Sequence, residues 1–302
     1  MFKRIVHTVF FGNYFYGCCT VALAVEAALQ QQLPLNSIFF YLLIFFSTVI
    51  FYTYAYIQEK QSASANPRNN WYIRNYKLIK QTQLTYFIVC IALAAYLFFK
   101  YLTGIKNITI LQLILPLVGA FTASAYYGIS FGLPAKINLR RTGWFKPFVI
   151  GFVWATMVTY IPLLWYQAEY NTAYHFSSFN AWFFIKNFMY ISLLAILFDI
   201  KDYAADHNRQ LKTFVVQMGI RKTIFYIIIP LTIFGFIAFI VFASLLHFYI
   251  LRIIVNGIPF ILLILVAWSL QKRKSILYYL IVIDGLMLVK ALCGITASLL
   301  VK

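Results

Sequence analysis

Nine stretches of about 20 predominantly apolar residues recur along this chain, and that recurrence limits its possible folds more than any other feature. They cover roughly 9–30, 38–57, 83–103, 109–130, 146–166, 179–198, 223–246, 249–270 and 276–299. A helical run of that length crosses the hydrocarbon of a bilayer, where each backbone N–H and C=O must be paired within the protein. Charged residues make up 11% of the 302, against about 25% in an ordinary soluble domain. The sequence therefore predicts an all-α polytopic transmembrane bundle of about nine spans, a single integral-membrane domain over 1–302. No polar stretch approaches the roughly 50 residues that a separate soluble domain needs. The first apolar run is too long for the core of a cleavable signal, and no small-residue cleavage site follows it.

The net charge of +18 would suit nucleic acid, but its placement points to lipid instead. With the N-terminus in the cytoplasm, 19 Lys and Arg fall on that side, four fall on the other, and Lys186 and Lys290 lie inside spans. Such an asymmetry is the positive-inside rule, with anionic headgroups as counterions. It predicts a multi-pass protein of the cell (inner) membrane, with its C-terminus on the opposite side and no nucleic acid partner. The stretches 58–82, 131–145 and 199–222 are long, polar and on the basic side, so binding groups are expected to collect there. Cys18, Cys19, Cys90 and Cys293 fall in spans without metal-ligand spacing and are read as small apolar packers.

Acid is scarce: seven residues in all, of which Asp199, Asp202 and Asp206 stand within eight positions. Their spacings of three and four residues put all three on one helical face. Three like charges so placed repel one another, and an all-oxygen acidic cluster suits Mg2+ or Ca2+. Arg209, Lys212, Thr213 and Gly219 follow. Of the charges within spans, Glu26, Lys186, Asp284 and Lys290, the last two share span 9 but are six residues apart, so pairing across helices is expected.

The segment Asp199-x-x-Asp202-x-x-x-Asp206, with Lys212-Thr213 and an apolar stretch ending at Gly219, resembles the second aspartate-rich motif of the UbiA-type intramembrane prenyltransferases. The stretch 127–154, with Tyr127, Pro134, Lys136, Arg140, Arg141, Lys146 and Trp154, is similar to the Tyr/Lys/Arg loop before that family's fifth span. The resemblance implies transfer of an isoprenyl group from its diphosphate to a membrane-associated acceptor, an aromatic ring or quinone precursor, with magnesium. It implies Asp199, Asp202 and Asp206 as catalytic metal ligands, and Lys212, Arg141, Lys136 and Arg209, with Arg140, as diphosphate contacts. Aromatic side chains would shelter the prenyl cation.

One family motif is missing. The acidic run expected after span 2 reads Tyr52-Thr-Tyr54-Ala-Tyr56-Ile-Gln58-Glu59-Lys60-Gln61-Ser62, without aspartate. Tyr54, Gln58, Glu59 and Ser62 are its remnants, with Glu59 one position out of register. The basic residues Lys60, Arg68, Arg74, Lys77 and Lys80 could hold phosphate directly instead. Two further readings stay open: a non-catalytic isoprenoid- or lipid-binding member of the same fold, and an ion-coupled transporter using the aspartates as its ion site.

Overall fold

The computed structural model describes residues 2–58, 66–128, 138–173, 176–208 and 210–300, and every regular element among them is helical. The chain begins with α1 (Phe2–Phe11) and α2 (Tyr14–Gln30), a pair bent by 59° at Gly12–Asn13, and continues into α3 (Ile38–Gln58). A short α4 (Pro67–Arg74) leads to α5 (Tyr76–Lys100), α6 (Leu102–Lys106) and α7 (Ile110–Tyr126). Then follow α8 (Gly143–Tyr170), α9 (Ser178–Asn208), the short α10 (Phe214–Met218), α11 (Ile220–Leu245), α12 (Ile250–Ser269) and α13 (Ile276–Leu300). Seven of these helices are long and apolar enough to cross a membrane, and the bent pair makes up to eight. The chain is a multi-pass helical membrane protein. The first of the nine apolar runs is divided by that bend, and α7, at 17 residues, is shorter than the seven.

Packing runs through a central pair. α8 lies along α9, α2 packs on α3 and α13, and α12 packs on α13. The main core gathers Leu23, Trp154, Tyr190, Leu193, Leu197, Ile228, Leu263, Ile283 and Met287 from six helices. By contrast α5 buries only Ile79 and Leu97, and α7 only Gly119 and Ala125. Those two helices present Leu84, Phe87, Ile88, Leu111 and Leu117 outward, as a lipid-facing helix must.

Three spans contain a widened π turn: Thr156–Tyr160, Ile224–Ile228 and Tyr279–Ile283. The first two are each followed at the second position by proline, Pro162 and Pro230. Proline has no N–H for the carbonyl four residues back, and its ring crowds that carbonyl; one wider turn relieves both problems without breaking the span.

Polar contacts lock the two ends of the bundle. At the end where α8 begins and α9 finishes, Arg68 of α4 reaches the bend between α1 and α2, donating to Phe11 O at 3.3 Å and Asn13 Oδ1 at 2.5 Å. Tyr72 donates to the same carbonyl at 2.8 Å, and Asn13 Nδ2 donates to Tyr72 Oη and Thr53 Oγ1, both at 3.0 Å. Burial pushes the Tyr72 hydroxyl up to about 12, with Arg68 pulling the other way, so it remains a donor at neutral pH. At the opposite end Glu169 accepts from Ser37 N and Trp165 Nε1 at 2.8 and 2.7 Å, and Arg252 donates to Gln30 Oε1 at 2.8 Å.

Of the four intramembrane charges, Glu26 and Lys290 pair across helices, whereas Asp284 and Lys186 meet neutral groups. Lys290 of α13 donates to both Glu26 oxygens of α2, at 2.9 and 2.7 Å. Asp284 accepts from the Tyr16 hydroxyl at 2.7 Å. Lys186 sits among the rings of Trp182, Phe183 and Phe239, 4.7–5.7 Å from their centroids. Close approach of α13 to α2 needs Gly294, where a Cβ would stand 2.5 Å from Glu26 Cγ.

Removing one member of a buried pair strands the other charge. Glu26→Ala is expected to destabilise the bundle by about 3–5 kcal/mol, and Glu26→Leu with Lys290→Met to recover most of that loss. Thermal unfolding in detergent reads both, and a fully additive double variant would contradict the pairing.

Candidate functional site

The three aspartates lie on one helix, as their spacing predicts, but that helix is the span itself, extended past its predicted end. Span 6 was expected to end at 198, whereas α9 continues to Asn208 and carries all three on its last turns. The chain then reverses through Gln210, whose φ of 55° is left-handed, and Leu211 N returns to Asp206 O at 2.9 Å. Thr213 caps α10 by accepting from Val216 N at 3.3 Å. Gly219, with φ 81°, ends that helix and turns the chain into α11. The residues after the aspartates therefore form a tight return, which brings Lys212 against the start of α8.

Gly143 makes that approach possible. Its φ is +65°, and a Cβ there would stand 2.5 Å from Lys212 O. Both the backbone conformation and the space require glycine. The backbone of Lys212 is thereby held against Gly143 at the start of α8.

The aspartates differ in environment. Asp199 is 2% exposed and takes Lys146 Nζ on Oδ1 at 2.5 Å. Its Oδ2 is buried and has no hydrogen-bond partner among the described residues. Asp206 is also buried. The Asp202 side chain is 42% exposed and stands 3.4 Å from Lys201 Nζ, a partly exposed pair that contributes little to stability. Among the described residues, no three His, Cys, Asp or Glu side chains stand close enough together to hold a metal ion between them. Glu59, Ser62, Lys136 and Arg209, and the side chains of Gln58 and Arg141, lie outside the described residues.

Behind this charged end lies a cavity of about 290 Å³ between α2, α3, α7 and α8. Tyr52, Tyr126, Tyr127 and Trp154 line it toward the aspartates, and Pro116, Gly119, Ala120, Met157 and Ile161 line its deeper part. Tyr126 joins the two regions: it lines the cavity and lies within electrostatic reach of Lys146, Arg140, Asp199 and Asp202. The wall is fixed by aromatic contacts. Trp154 Nε1 donates to Tyr52 Oη at 2.6 Å, and the Tyr52 ring stacks on Tyr16 at 4.3 Å. Tyr54, a predicted motif remnant, packs its ring 5.9 Å from Tyr127.

Lys146, to which the family resemblance assigns no role, carries the ammonium bonded to Asp199, ahead of Lys136, Arg140, Arg141, Lys212 and Arg209. A lysine as the first residue of an apolar run was the available signal. Asp284 also belongs to this end, within electrostatic reach of Arg68 and Lys201. Three helices had to be assembled before that proximity existed.

Gly143→Ala is expected to push the 210–213 return off α8 and to speed tryptic cleavage after Lys212 several-fold in proteoliposomes. An unchanged cleavage rate would show that the return does not depend on this contact.

No family model matches the chain, and no curated protein or solved structure matches it.

Proposed function

We propose that the chain is an intramembrane prenyltransferase of the UbiA kind, moving an isoprenyl group from its diphosphate to an acceptor dissolved in the bilayer. The observation that carries this reading is the junction at Tyr126, where a carboxylate- and lysine-bearing end meets an apolar, aromatic-walled cavity. An isoprenyl diphosphate has that same division, a polyanionic head on an apolar tail. In this reading the bundle has nine spans, counting the bent α1–α2 pair once and including α7. Seventeen helical residues extend about 25 Å, close to the roughly 30 Å of hydrocarbon. The aspartate end faces the cytoplasm of a cell whose inner membrane holds the protein, which puts the 19 basic residues on the expected side.

The donor set suits magnesium. Mg2+ usually takes one or two protein carboxylates and completes its shell with water and substrate phosphate, so no ready-made cage is required. The buried, unpartnered Oδ2 of Asp199 and the exposed carboxylate of Asp202 are the first candidates, with Asp206 beside them. Magnesium bound there would neutralise charge on the diphosphate and make it a better leaving group.

The protein's own groups have distinct tasks. Lys146 holds Asp199 in place and offers positive charge where phosphate oxygens would arrive. Lys212, Arg140, Arg141, Lys136 and Arg209 are assigned the remaining phosphate charge. The rings of Tyr126, Tyr127, Tyr52 and Trp154 are placed to face cationic carbon and exclude water. The acceptor, an aromatic or quinone precursor, would attack from within the cavity.

The alternative is a protein of the same fold that binds isoprenoids or lipids without transferring them. Gln58 and Ser62 favour it, since they occupy positions where the family carries acid. Purified protein in nanodiscs, given allylic prenyl diphosphates of several lengths with magnesium, decides between the two. Transfer predicts diphosphate release that stops with EDTA and falls at least about 100-fold in Asp202→Asn. Tight diphosphate binding without release would establish the binding protein, and release unchanged in Asp202→Asn would refute the assigned role of the aspartates.

A further inference from the structure

Around Lys186 the charges do not balance. Lys290, Arg252 and Glu26 lie within its electrostatic reach, which makes three cations and one carboxylate. Both Glu26 oxygens are taken by Lys290, at 2.9 and 2.7 Å. Arg252 meets only neutral groups, Gln30 O and Oε1 and the Phe248 ring. Lys186 has no hydrogen-bond or ion-pair partner among the described residues, only the rings of Trp182, Phe183 and Phe239. The other described carboxylates are committed elsewhere: Asp284 to Tyr16, Glu169 to Ser37 and Trp165, and Asp199, Asp202 and Asp206 at the far end of α9. Ring faces attract an ammonium, but they return less than its removal from water costs.

The position of Lys186 shows how an anion could reach it. The residue is 8% exposed, yet its Nζ is not sealed; unlike Arg252 Nε, which is fully covered and unpartnered, it keeps accessible surface. It stands eight residues into α9, about 12 Å from the start of that helix. The preceding Ile185 is 60% exposed on the lipid side, while Phe183 and Tyr190 are buried, so Lys186 marks the edge where the lipid face of α9 becomes core. α11 packs chiefly on α12 and only lightly on α9. Its closer contacts with α9 lie one turn to either side of Lys186: Trp182 stacks on Phe242 at 4.1 Å, and Met189 meets Gly235.

We propose that Lys186 anchors the carboxylate of a long-chain fatty acid, which enters from the bilayer between α9 and α11 and leaves its tail in the lipid. The anion supplies the counter-charge that the protein lacks here. Arg252 needs none from the ligand: it stands two residues into α12, near headgroups that can balance it. A carboxylate suits the place because a phospholipid phosphate at this depth would have to draw its glycerol and second chain after it. A small soluble anion would have to leave water for an aromatic, apolar surround. The proposal is independent of the transfer reading, since it uses neither the aspartates nor the cavity beside Tyr126.

The test uses the whole protein in phosphatidylcholine nanodiscs, in mildly alkaline buffer that keeps a fatty acid ionised. The probes are tritiated oleate and tritiated oleyl alcohol, which share a chain and differ in the charge of the head. Wild type is expected to bind oleate about tenfold more tightly than the alcohol. Lys186→Met should bring oleate down to the alcohol's affinity and leave the alcohol unchanged. It should also keep or raise the thermal unfolding midpoint, because it removes an unmatched buried charge. Oleate carrying a photoreactive diazirine beside its carboxyl should label 182–189 or 235–242. Equal binding of the two probes by wild type overturns the proposal, and so does a preference for oleate that survives Lys186→Met. Loss of both probes in that variant, or labelling confined to other segments, also overturns it. Displacement of oleate by acetate would reveal a soluble-anion site and displacement by phosphatidic acid a phospholipid site; either result overturns the assigned ligand.

Discussion

Every charge that enters this bundle must be compensated inside it, and the arrangement of the helices depends on that requirement. Water cannot screen a carboxylate or ammonium surrounded by hydrocarbon, so an unmatched charge would oppose insertion and packing. Two contacts meet the requirement from opposite ends. Lys146 and Asp199 join the start of α8 to the last turns of α9, and Glu26 and Lys290 join α2 to α13. Between them they tie the two most extensive helix pairs of the fold together. The apolar core fills the space that these contacts define, but apolar side chains alone would allow many registers.

The same requirement separates the working end from the rest. The far end is closed by neutral or paired groups, such as Glu169 with Ser37 and Trp165. The aspartate end keeps an exposed Asp202 carboxylate and an unpartnered Asp199 oxygen beside several cations. Ordering there comes from backbone devices instead: the positive φ of Gly143 and Gly219, the cap at Thr213, and the bend at Asn13 held by Arg68. These fix where the chain reverses without using up the charged groups.

Prolines act in the spans as the third organising element. Pro162 and Pro230 each sit two residues beyond a π turn, and the first of these turns borders the cavity at Thr156 and Met157. A helix that must give up a hydrogen bond at proline can widen locally and stay continuous. The cavity then exists because α7, rich in small residues where it faces α8, is held against that widened turn and away from α3.

The sequence by itself determined the class of fold, because apolar length is a local quantity: the described residues form a helical bundle with seven helices long and apolar enough to cross a membrane, and the spacing of Asp199, Asp202 and Asp206 does place them on one helix. It also showed that Glu26, Asp284 and Lys290 needed partners in other helices. It could not say which ones, since Glu26 and Lys290 are 264 residues apart, and it left Lys146 without a role. The bend that divides the first apolar run was not legible either, because it depends on Arg68 and Tyr72 arriving from α4. Only the tertiary structure decided the partner of each charge, the burial of Asp199 against the exposure of Asp202, and the cavity beside Thr156. Those are properties of distance between helices, and distance across a bundle is set by how side chains from separate segments fill a shared volume.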